Sequence, residues 1–326
     1  MTSTPDPVIE TSRLVKVFGE TRALDGLDLA VPRGSVHCLL GPNGAGKTTT
    51  IKIMATLLRP DSGTARVLGH DVVRERHAIR RRIGLTGQVA SVDEELTGLQ
   101  NLILAARLQG MPHRAARARA QELLAAFGLA EDGNRLLGTY SIGQRRRVDI
   151  AASLVVMPDL LFLDEPTTGL DPRSRSEVWS IVRSLVAEGG TVLLTTQYLD
   201  EADQLSDHIT LIDHGRVVAE GTPAELKSGL ARGVLNVGLR DPDQRQVAES
   251  VLARSLGAPV RHDAGAARLS IPAPDSEHAA RALGELTRHG VQISHFALDQ
   301  PSLDEVFFAL TGHSTEAVAS SQEVPQ

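Results

Sequence analysis

Hydrophobic and polar positions follow three patterns along the chain. Residues 8–36 alternate apolar and polar side chains over short stretches, which predicts short antiparallel strands joined by turns. Continuous apolar runs of strand length occur at 36–40, 160–163 and 191–195, and residues 48–58 have helical spacing. A helical segment precedes each of the last two runs. Because strands and helices alternate in this way, the pattern predicts an α/β fold with a mostly parallel sheet covered on both faces.

Two changes of pattern predict the domain organisation. Residues 90–155 are rich in Ala, Leu and Arg and predict an all-helical insert, with a break between helices at 110–112. After 221–223 the order becomes a polar helix and then βαβαβα, with strands at 234–239, 267–271 and 291–297 and helices at 244–256, 277–288 and 302–310. We therefore predict a large domain over 1–225, an accessory α/β domain over 226–312, and a disordered tail over 313–326, where large apolar residues are few.

Composition excludes several classes of function. A chain of 326 residues with 41% hydrophobic and 23% charged residues is ordinary for a globular protein. The net charge of −6 argues against nucleic-acid binding, and we expect the basic run 145–147 to be a solvated helix face. The single Cys38 cannot form an intramolecular disulfide. Since no secretory signal or membrane-spanning run is visible, we expect a cytoplasmic protein whose membrane role requires a partner.

A glycine-rich loop carries the first candidate chemistry. It matches the phosphate-binding pattern G-x-x-x-x-G-K-[ST] and lies between a buried strand and a helix, which is the context that this pattern requires. Its predicted nucleotide-binding residues are Gly41, Pro42, Asn43, Gly44, Ala45, Gly46, Lys47, Thr48 and Thr49. Glycine lets backbone amides surround the phosphates, Lys47 reaches the β and γ oxygens, and Thr48 holds Mg²⁺. The alternative is a glycine-rich turn without a ligand.

Two acids end the second apolar run. Carboxylates beside a core are costly unless they are paired, so Asp164 and Glu165 require an explanation. Asp164 suits a Mg²⁺ ion held through water, and Glu165 suits a general base that polarises an attacking water. A solvent-facing acid pair is the alternative, but the phosphate loop upstream favours a catalytic role.

A short motif between these two elements carries a family resemblance. The segment 140–144, Tyr-Ser-Ile-Gly-Gln, lies before an amphipathic helix and resembles the Leu-Ser-Gly-Gly-Gln signature of ABC ATPases. That resemblance covers residues 8–222 and implies that Ser141, Gly143 and Gln144 contact the γ-phosphate of ATP. It also implies a RecA-like core, an antiparallel β subdomain and a helical insert.

Three further positions match this family pattern. The resemblance implies that Phe18 stacks on adenine, that Gln88 contacts Mg²⁺ and links to the membrane subunit, and that Asp171 lies in the loop between two ATP sites. Taken alone, these residues could equally be a core aromatic, a surface glutamine and a helix cap. The stretches 87–97, 145–152, 195–203 and 301–307 resemble one subfamily, the ATPase subunits of the daunorubicin/doxorubicin-resistance type of drug exporter. The last stretch would also fit an ordinary amphipathic helix.

Two positions depart from the general family pattern. Ile142 occupies the place of the first signature glycine, where the backbone approaches phosphate closely. Gln197 replaces the histidine that contacts the γ-phosphate, and a glutamine in that place is what the exporter subfamily tends to have. Both changes bear on the rate of hydrolysis rather than on ATP binding, and we place Gln197 with Glu165 and Lys47 among the predicted catalytic residues.

The resemblance implies an ATPase that acts as a homodimer on a separate integral-membrane permease. Two copies would enclose two ATP·Mg²⁺, and the protein would lie peripherally on the cytoplasmic side of the cell membrane and power efflux of a hydrophobic drug or antibiotic. One alternative is a nucleotide-gated regulatory subunit with little turnover, and another is export of a lipid or polysaccharide. ABC ATPases of DNA repair or translation usually carry long coiled-coil or zinc inserts or a second ATPase domain, and none is visible in this sequence.

Overall fold

A computed structural model describes residues 7–88, 91–230, 233–262 and 268–299, together with Leu303, Val306 and Phe307. The chain divides into two compact units, Met1–Pro223 and Ala224–Gln326. Each unit has its own cluster of buried apolar side chains. Within the described ranges, no helix is long and apolar enough to cross a membrane.

The first unit contains two sheets and the helices that cover them. Its strands are β1 (Ile9–Phe18), β2 (Thr21–Val31), β3 (Val36–Leu40), β4 (Ser62–Val67), β5 (His70–Asp71), β6 (Ile83–Thr86), β7 (Leu160–Asp164), β8 (Val192–Thr196), β9 (His208–Asp213) and β10 (Arg216–Gly221). Its helices are α1 (Lys47–Met54), α2 (Arg76–Arg80), α3 (Gly98–Leu108), α4 (His113–Ala126), α5 (Ile142–Ser153), α6 (Pro172–Ala187) and α7 (Leu199–Leu205). Helix α8 (Pro223–Leu230) begins at the boundary between the units.

The larger sheet has the order β10-β9-β3-β8-β7-β6 and is parallel except for β10, which pairs antiparallel with β9. This confirms the predicted parallel sheet, and strands β3, β7 and β8 are buried along their whole length, as their apolar sequences require. The second sheet, β2-β1-β4-β5, is antiparallel. Its first two strands, of 10 and 11 residues, are longer than the short strands predicted there.

The carboxyl ends of three central strands meet at one edge of the larger sheet. Leu40 of β3 pairs with Thr196 of β8, and Asp164 of β7 pairs with Thr195. The residues that follow these strand ends therefore lie side by side, and they include the glycine-rich loop, Glu165 and Gln197. In open α/β sheets this edge is where ligands bind.

The helical insert has the predicted break between α3 and α4, but the helix predicted over 48–58 is wrong at its end. Helix α1 stops at Met54, and Thr56 adopts a positive φ of 63°. Arg80 donates to the hydroxyl of Thr56 at 2.7 Å and to its carbonyl at 2.9 Å. These tertiary hydrogen bonds hold the chain in a turn where helical spacing alone predicted another turn of helix.

The second unit consists of β11 (Gly233–Leu239), α9 (Arg245–Leu256), β12 (Arg261–His262), β13 (Arg268–Ala273), α10 (Ser276–Arg288) and β14 (Ile293–Asp299). Its strands form one antiparallel sheet in the order β12-β13-β11-β14, which is the split β-α-β arrangement. Strand β12 has only two residues and was missed from the sequence. The tail 313–326 and most of the helix predicted over 302–310 lie outside the described residues, although Leu303, Val306 and Phe307 are helical and buried.

Candidate functional site

The glycine-rich loop joins β3 to α1 in a conformation that requires glycine. Gly46 caps α1 with φ 107°, and a Cβ atom there would lie 2.6 Å from the carbonyl oxygen of Ala23. A Cβ atom on Gly41 would lie 2.2 Å from the carbonyl oxygen of Ile212. The loop therefore packs too closely for side chains at these positions, and it leads into a helix N terminus, where an anion is favoured.

Lys47 is a buried cation inside this loop. Its side-chain nitrogen donates to the carbonyls of Gly41 at 2.8 Å and Pro42 at 3.0 Å, and it lies 3.4 Å from a carboxylate oxygen of Glu165. Burial lowers the pKa of Lys47, while the charge of Glu165 acts in the opposite direction. A buried ammonium group is costly without partners, and these three contacts hold it within the phosphate-binding loop.

Asp164 is held by two hydroxyl groups. Thr195 donates to its Oδ1 at 2.6 Å, and Thr48 donates to the same atom at 3.1 Å. The sequence analysis assigned Asp164 and Thr48 to the same cation but missed Thr195, which is fully buried near the end of β8. The signal was present in the sequence, because Thr195 and Thr196 are the only polar residues in β8 and they lie at the site edge.

Glu165 is in the left-handed backbone conformation, with φ 48°. Few residues other than glycine adopt this conformation, and it costs on the order of 1–3 kcal/mol where it occurs. The Glu165 amide donates to the carbonyl of Thr195 at 3.1 Å and to its hydroxyl at 3.0 Å, and Thr168 donates to its carboxylate at 3.3 Å. The turn directs the Glu165 side chain toward Lys47 and the phosphate loop.

Gln197 follows β8 directly and is largely buried. Within the described part of the chain its side-chain oxygen is buried and has no hydrogen-bond partner. Because buried polar atoms are almost always paired, this oxygen is a position that a bound group would satisfy.

A second group of predicted residues lies at the starts of α5 and α6. Ser141 caps α5 in a capping box with Gln144, whose side-chain nitrogen also donates to Asp132 at 2.8 Å. Asp171 caps α6, and Ser174 donates to it from its amide at 2.9 Å and from its hydroxyl at 2.7 Å. Asp171 is thus a helix cap in this chain, as one reading of the sequence had it, while its role toward a second ATP site stays a prediction.

The two signature positions after Ser141 differ in their surroundings. A Cβ atom on Gly143 would lie 2.3 Å from the hydroxyl oxygen of Ser174, so packing between α5 and α6 requires glycine there. The side chain of Ile142 is 60% exposed. The predicted contacts of Ser141, Gly143 and Gln144 with phosphate remain predictions.

Phe18 and Gln88 lie at exposed positions. Phe18 ends β1 and is 48% exposed, with the Lys16 ammonium 5.3 Å from its ring centroid. Gln88 is exposed just after β6. Their predicted contacts with adenine and with Mg²⁺ stay predictions.

The basic run on α5 corrects one sequence-based expectation. Arg145 forms a surface pair with Glu94, but Arg146 is only 8% exposed and does not belong to a solvated face. Its guanidinium donates to backbone carbonyls at 164–166 and to Asp149, which is itself 1% exposed. Asp149 lies at i+3 from Arg146, but this spacing is also that of a surface ion pair, so the sequence does not reveal that the pair is buried.

Glu201 is a second buried ionisable group that the sequence did not reveal. It lies on α7 with no exposed surface, and one carboxylate oxygen accepts from the Thr167 hydroxyl and the Trp179 ring nitrogen, each at 2.9 Å. Burial raises the pKa of Glu201, and these donors oppose that shift. Thr167 lies two residues after Glu165, so this carboxyl connects the acid-pair turn to α6 and α7.

The residues at the sheet edge fit a nucleotide and a hard cation. The phosphate loop offers a helix N terminus and a buried ammonium group, and Thr48 and Asp164 offer the oxygen atoms that Mg²⁺ prefers. The unpartnered oxygen of Gln197 lies at the same edge. The arrangement can therefore bind a nucleoside triphosphate and direct the Glu165 carboxylate at its terminal phosphate.

This loop, acid pair and signature helix on an α/β core define an ATP-binding cassette. The family described as ABC transporter matches residues 24–168, and the family described as ATP-binding protein DrrA1-3-like, C-terminal domain, matches residues 221–311. The daunorubicin/doxorubicin resistance ATP-binding protein DrrA of Streptomyces peucetius is 59% identical over 99% of this chain and 100% of its own length. The chain belongs to the DrrA family of ABC transporter ATP-binding proteins and is an ATPase.

Solved structures agree with this assignment. CbiO1 of Clostridium perfringens, described as part of the ABC transporter complex cbiONQ, is 29% identical, has a TM-score of 0.63, and matches over 68% of this chain and 90% of its own. A dimeric ATP-binding cassette in a post-hydrolysis state with ADP and Pi is 27% identical, has a TM-score of 0.60, and matches over 66% and 98%. The predicted fold class is therefore confirmed, and ATPase subunits of this kind dimerise and pair with membrane components.

Proposed function

We propose that this protein hydrolyses ATP·Mg²⁺ to power efflux of a hydrophobic drug or antibiotic through a separate integral-membrane permease. The cluster of Lys47, Thr48, Asp164 and Glu165 at one sheet edge carries the proposal for hydrolysis. The near full-length identity to a daunorubicin/doxorubicin resistance protein supports the cargo class. The protein works at the cytoplasmic side of the cell membrane as a peripheral subunit.

The phosphate loop binds the substrate. Backbone amides of residues 41–49 and the N terminus of α1 receive the phosphates. The Lys47 ammonium turns from the carbonyls of Gly41 and Pro42 to the β and γ oxygens, because phosphate carries full negative charge and the carbonyls do not. Phe18 stacks on the adenine ring, and its exposed face is consistent with this role.

Thr48, Asp164 and Gln88 would hold the cation. When bound, Mg²⁺ would supply positive charge that offsets the charge of the phosphate oxygens. The Thr48 hydroxyl, which donates to Asp164 at 3.1 Å, would be a direct ligand, and Asp164 would act through a water molecule. Thr195 would keep the Asp164 carboxylate oriented, since its hydroxyl donates to that carboxylate at 2.6 Å.

Glu165 takes the proton from the attacking water. Its carboxylate already lies 3.4 Å from the Lys47 ammonium, so it faces the position of the γ-phosphate. The buried side-chain oxygen of Gln197 accepts from the attacking water, and its amide nitrogen is the group that donates to the γ-phosphate. Glu165 and Gln197 thus supply a base and a neutral hydrogen-bonding group beside the attacking water.

Two copies of the chain complete the site. Ser141, Gly143 and Gln144 of one copy contact the γ-phosphate bound by the other, and Asp171 lies between the two sites. A regulatory subunit with little turnover is a second candidate, and the exposed Ile142 favours it, because a branched side chain stands where the backbone is to approach phosphate.

Substitution of the proposed base tests the hydrolytic assignment. Glu165→Gln is expected to abolish ATP hydrolysis, retain ATP binding and accumulate as an ATP-bound dimer in size-exclusion chromatography. The matched control is Glu188→Gln, which neutralises an exposed carboxylate outside the site. Turnover by Glu165→Gln at the parent rate would show that another group activates water.

A transport assay tests the cargo. The ATPase and its permease would be co-expressed, and ATP-dependent uptake of daunorubicin would be measured in inverted membrane vesicles. Uptake that the parent supports and Glu165→Gln does not is the expected result. Active ATPase without daunorubicin uptake would leave hydrolysis standing and exclude this drug as cargo.

A further inference from the structure

All five N–H groups of one buried guanidinium have acceptors, and three of these acceptors are in the acid-pair turn. Nε of Arg146 donates to the carbonyl of Pro166 at 2.9 Å, and Nη2 donates to the carbonyls of Asp164 at 3.1 Å and Glu165 at 3.2 Å. Nη1 donates to the carbonyl of Gly87 at 2.7 Å and to Oδ2 of Asp149 at 3.3 Å. A guanidinium has five N–H groups, so this set satisfies each of them once.

Three of these acceptors are the consecutive carbonyls around Glu165. The left-handed conformation of Glu165 is sparsely populated for residues other than glycine, so surrounding contacts must hold it. Thr195 holds the Glu165 amide from β8, and Arg146 holds the carbonyls on both sides from α5. The direction of the Glu165 side chain thus depends on a helix that contributes no group to the base itself.

The other acceptors connect the same guanidinium to the loop of Gln88. Gly87 immediately precedes Gln88. Asp149, the ion-pair partner of Arg146, accepts from the amide of Ser91 at 3.0 Å and from its hydroxyl at 2.7 Å. The Arg146–Asp149 pair therefore bonds to residues on both sides of the Gln88 loop and to the acid-pair turn.

We propose that Arg146 is a positioning residue that keeps Glu165 in its left-handed conformation and fixes that turn to the Gln88 loop. The proposal rests on the proposed role of Glu165 as general base. It differs from a purely structural role, in which a buried ion pair would affect folding but leave the rate of each folded molecule unchanged.

The test separates an effect on the position of Glu165 from an effect on the stability of the fold. Arg146→Met alone would leave the buried Asp149 carboxylate unpaired, so the main variant is the double substitution Arg146→Met, Asp149→Asn, which removes both charges and keeps the oxygen that Ser91 binds. Arg146→Lys retains a cation but cannot form the planar fork. Arg147→Met on the same helix is the matched control, because Arg147 contacts the carbonyl of Phe127 and the carboxylate of Glu177.

The readouts are kcat, the ATP dissociation constant and the thermal midpoint. We expect the double variant and Arg146→Lys to bind ATP like the parent, since the phosphate loop is untouched, and to lose about 10²-fold in kcat, which is the cost of misplacing a catalytic group by about 1 Å. Arg147→Met is expected to keep the parent kcat. Faster hydrogen exchange at residues 164–168 in both slow variants would accompany the loss.

Parent kcat in the folded double variant, or in Arg146→Lys if the double variant does not fold, would overturn the proposal. That result combined with an inactive Glu165→Gln would reject only the role of Arg146. Turnover by Glu165→Gln would instead reject Glu165 as the base, whatever the Arg146 variants do.

Discussion

Thr195 offers a closely matched pair of substitutions at this site, one that removes its hydroxyl group and one that keeps it. Its hydroxyl is buried, donates to Asp164 at 2.6 Å and accepts from the Glu165 amide at 3.0 Å. Thr195→Val replaces the hydroxyl with a methyl group. Thr195→Ser keeps the hydroxyl and removes only the buried methyl group, so the pair isolates the hydrogen bonds from the packing.

The stability loss follows from the partners that remain. The Glu165 amide still reaches the carbonyl of Thr195 at 3.1 Å, and Asp164 Oδ1 still accepts from Thr48. Thr195→Val therefore loses one hydrogen bond to a charged group, about 1.5–3 kcal/mol. Thr195→Ser loses one buried methyl, about 1 kcal/mol. Urea denaturation followed by the fluorescence of Trp179, the single tryptophan, reports on the unit that contains the site.

The functional effect is expected at the cation. Residues that orient a metal ligand typically change metal affinity or activity by about 10- to 100-fold when they are removed. We expect Thr195→Val to raise the Mg²⁺ concentration for half-maximal ATPase activity by about that factor over Thr195→Ser. Equal Mg²⁺ dependence in the two variants would refute the reasoning and leave Thr195 with a role in folding alone.

The remaining predictions concern Gln197, Glu201 and the second unit. Gln197→Ala should lower the ATPase rate about 10²- to 10³-fold, and Gln197→His should stay active with a new pH dependence near neutrality; a parent rate in the alanine variant would make Gln197 a bystander. Because burial raises the pKa of Glu201 above 4.5, the parent should lose stability as pH rises above that value. Glu201→Gln keeps the accepting oxygen but does not titrate, so its free energy of unfolding in urea, relative to that of the parent, should increase with pH. A difference between the two proteins that does not change with pH would contradict this. Truncation after Lys227 should leave ATP binding intact and impair transport; loss of ATP binding would contradict the two-domain division.

Sequence reasoning found the parts of this site whose chemistry is local. The phosphate loop, the acid pair and the position after the third apolar run all follow a buried strand, and the carboxyl ends of neighbouring parallel strands must share an edge. Lys47 and Asp164 were identified from these local motifs and Gln197 from the family resemblance, and the pairing of β3, β7 and β8 accounts for their meeting at one edge. The parallel sheet itself followed from continuous apolar runs, which are typical of strands buried on both faces.

The groups that sequence reasoning missed act over long separations. Arg146 reaches carbonyls about twenty residues away, and Arg80 ends α1 through contacts with Thr56, which lies 24 positions earlier. Neither pairing has a periodic signal, because a backbone carbonyl is present at every position of the chain. Strand β12 was missed for another reason, because two residues are too few for an alternating pattern to be recognised.

The different surroundings of Ile142 and Gly143 explain why a branched side chain at position 142 is compatible with folding of the single chain. At Gly143 the packing of α5 against Ser174 leaves no room for a side chain, so a substitution there would destabilise the folded chain. At Ile142 the side chain is exposed and the backbone φ is not positive, so nothing in the single chain opposes a branched residue there. Whatever Ile142 costs must therefore be borne in the proposed contact with the nucleotide of a second copy. We therefore expect any effect of Ile142 to appear in dimer closure or turnover and not in the stability of the folded subunit.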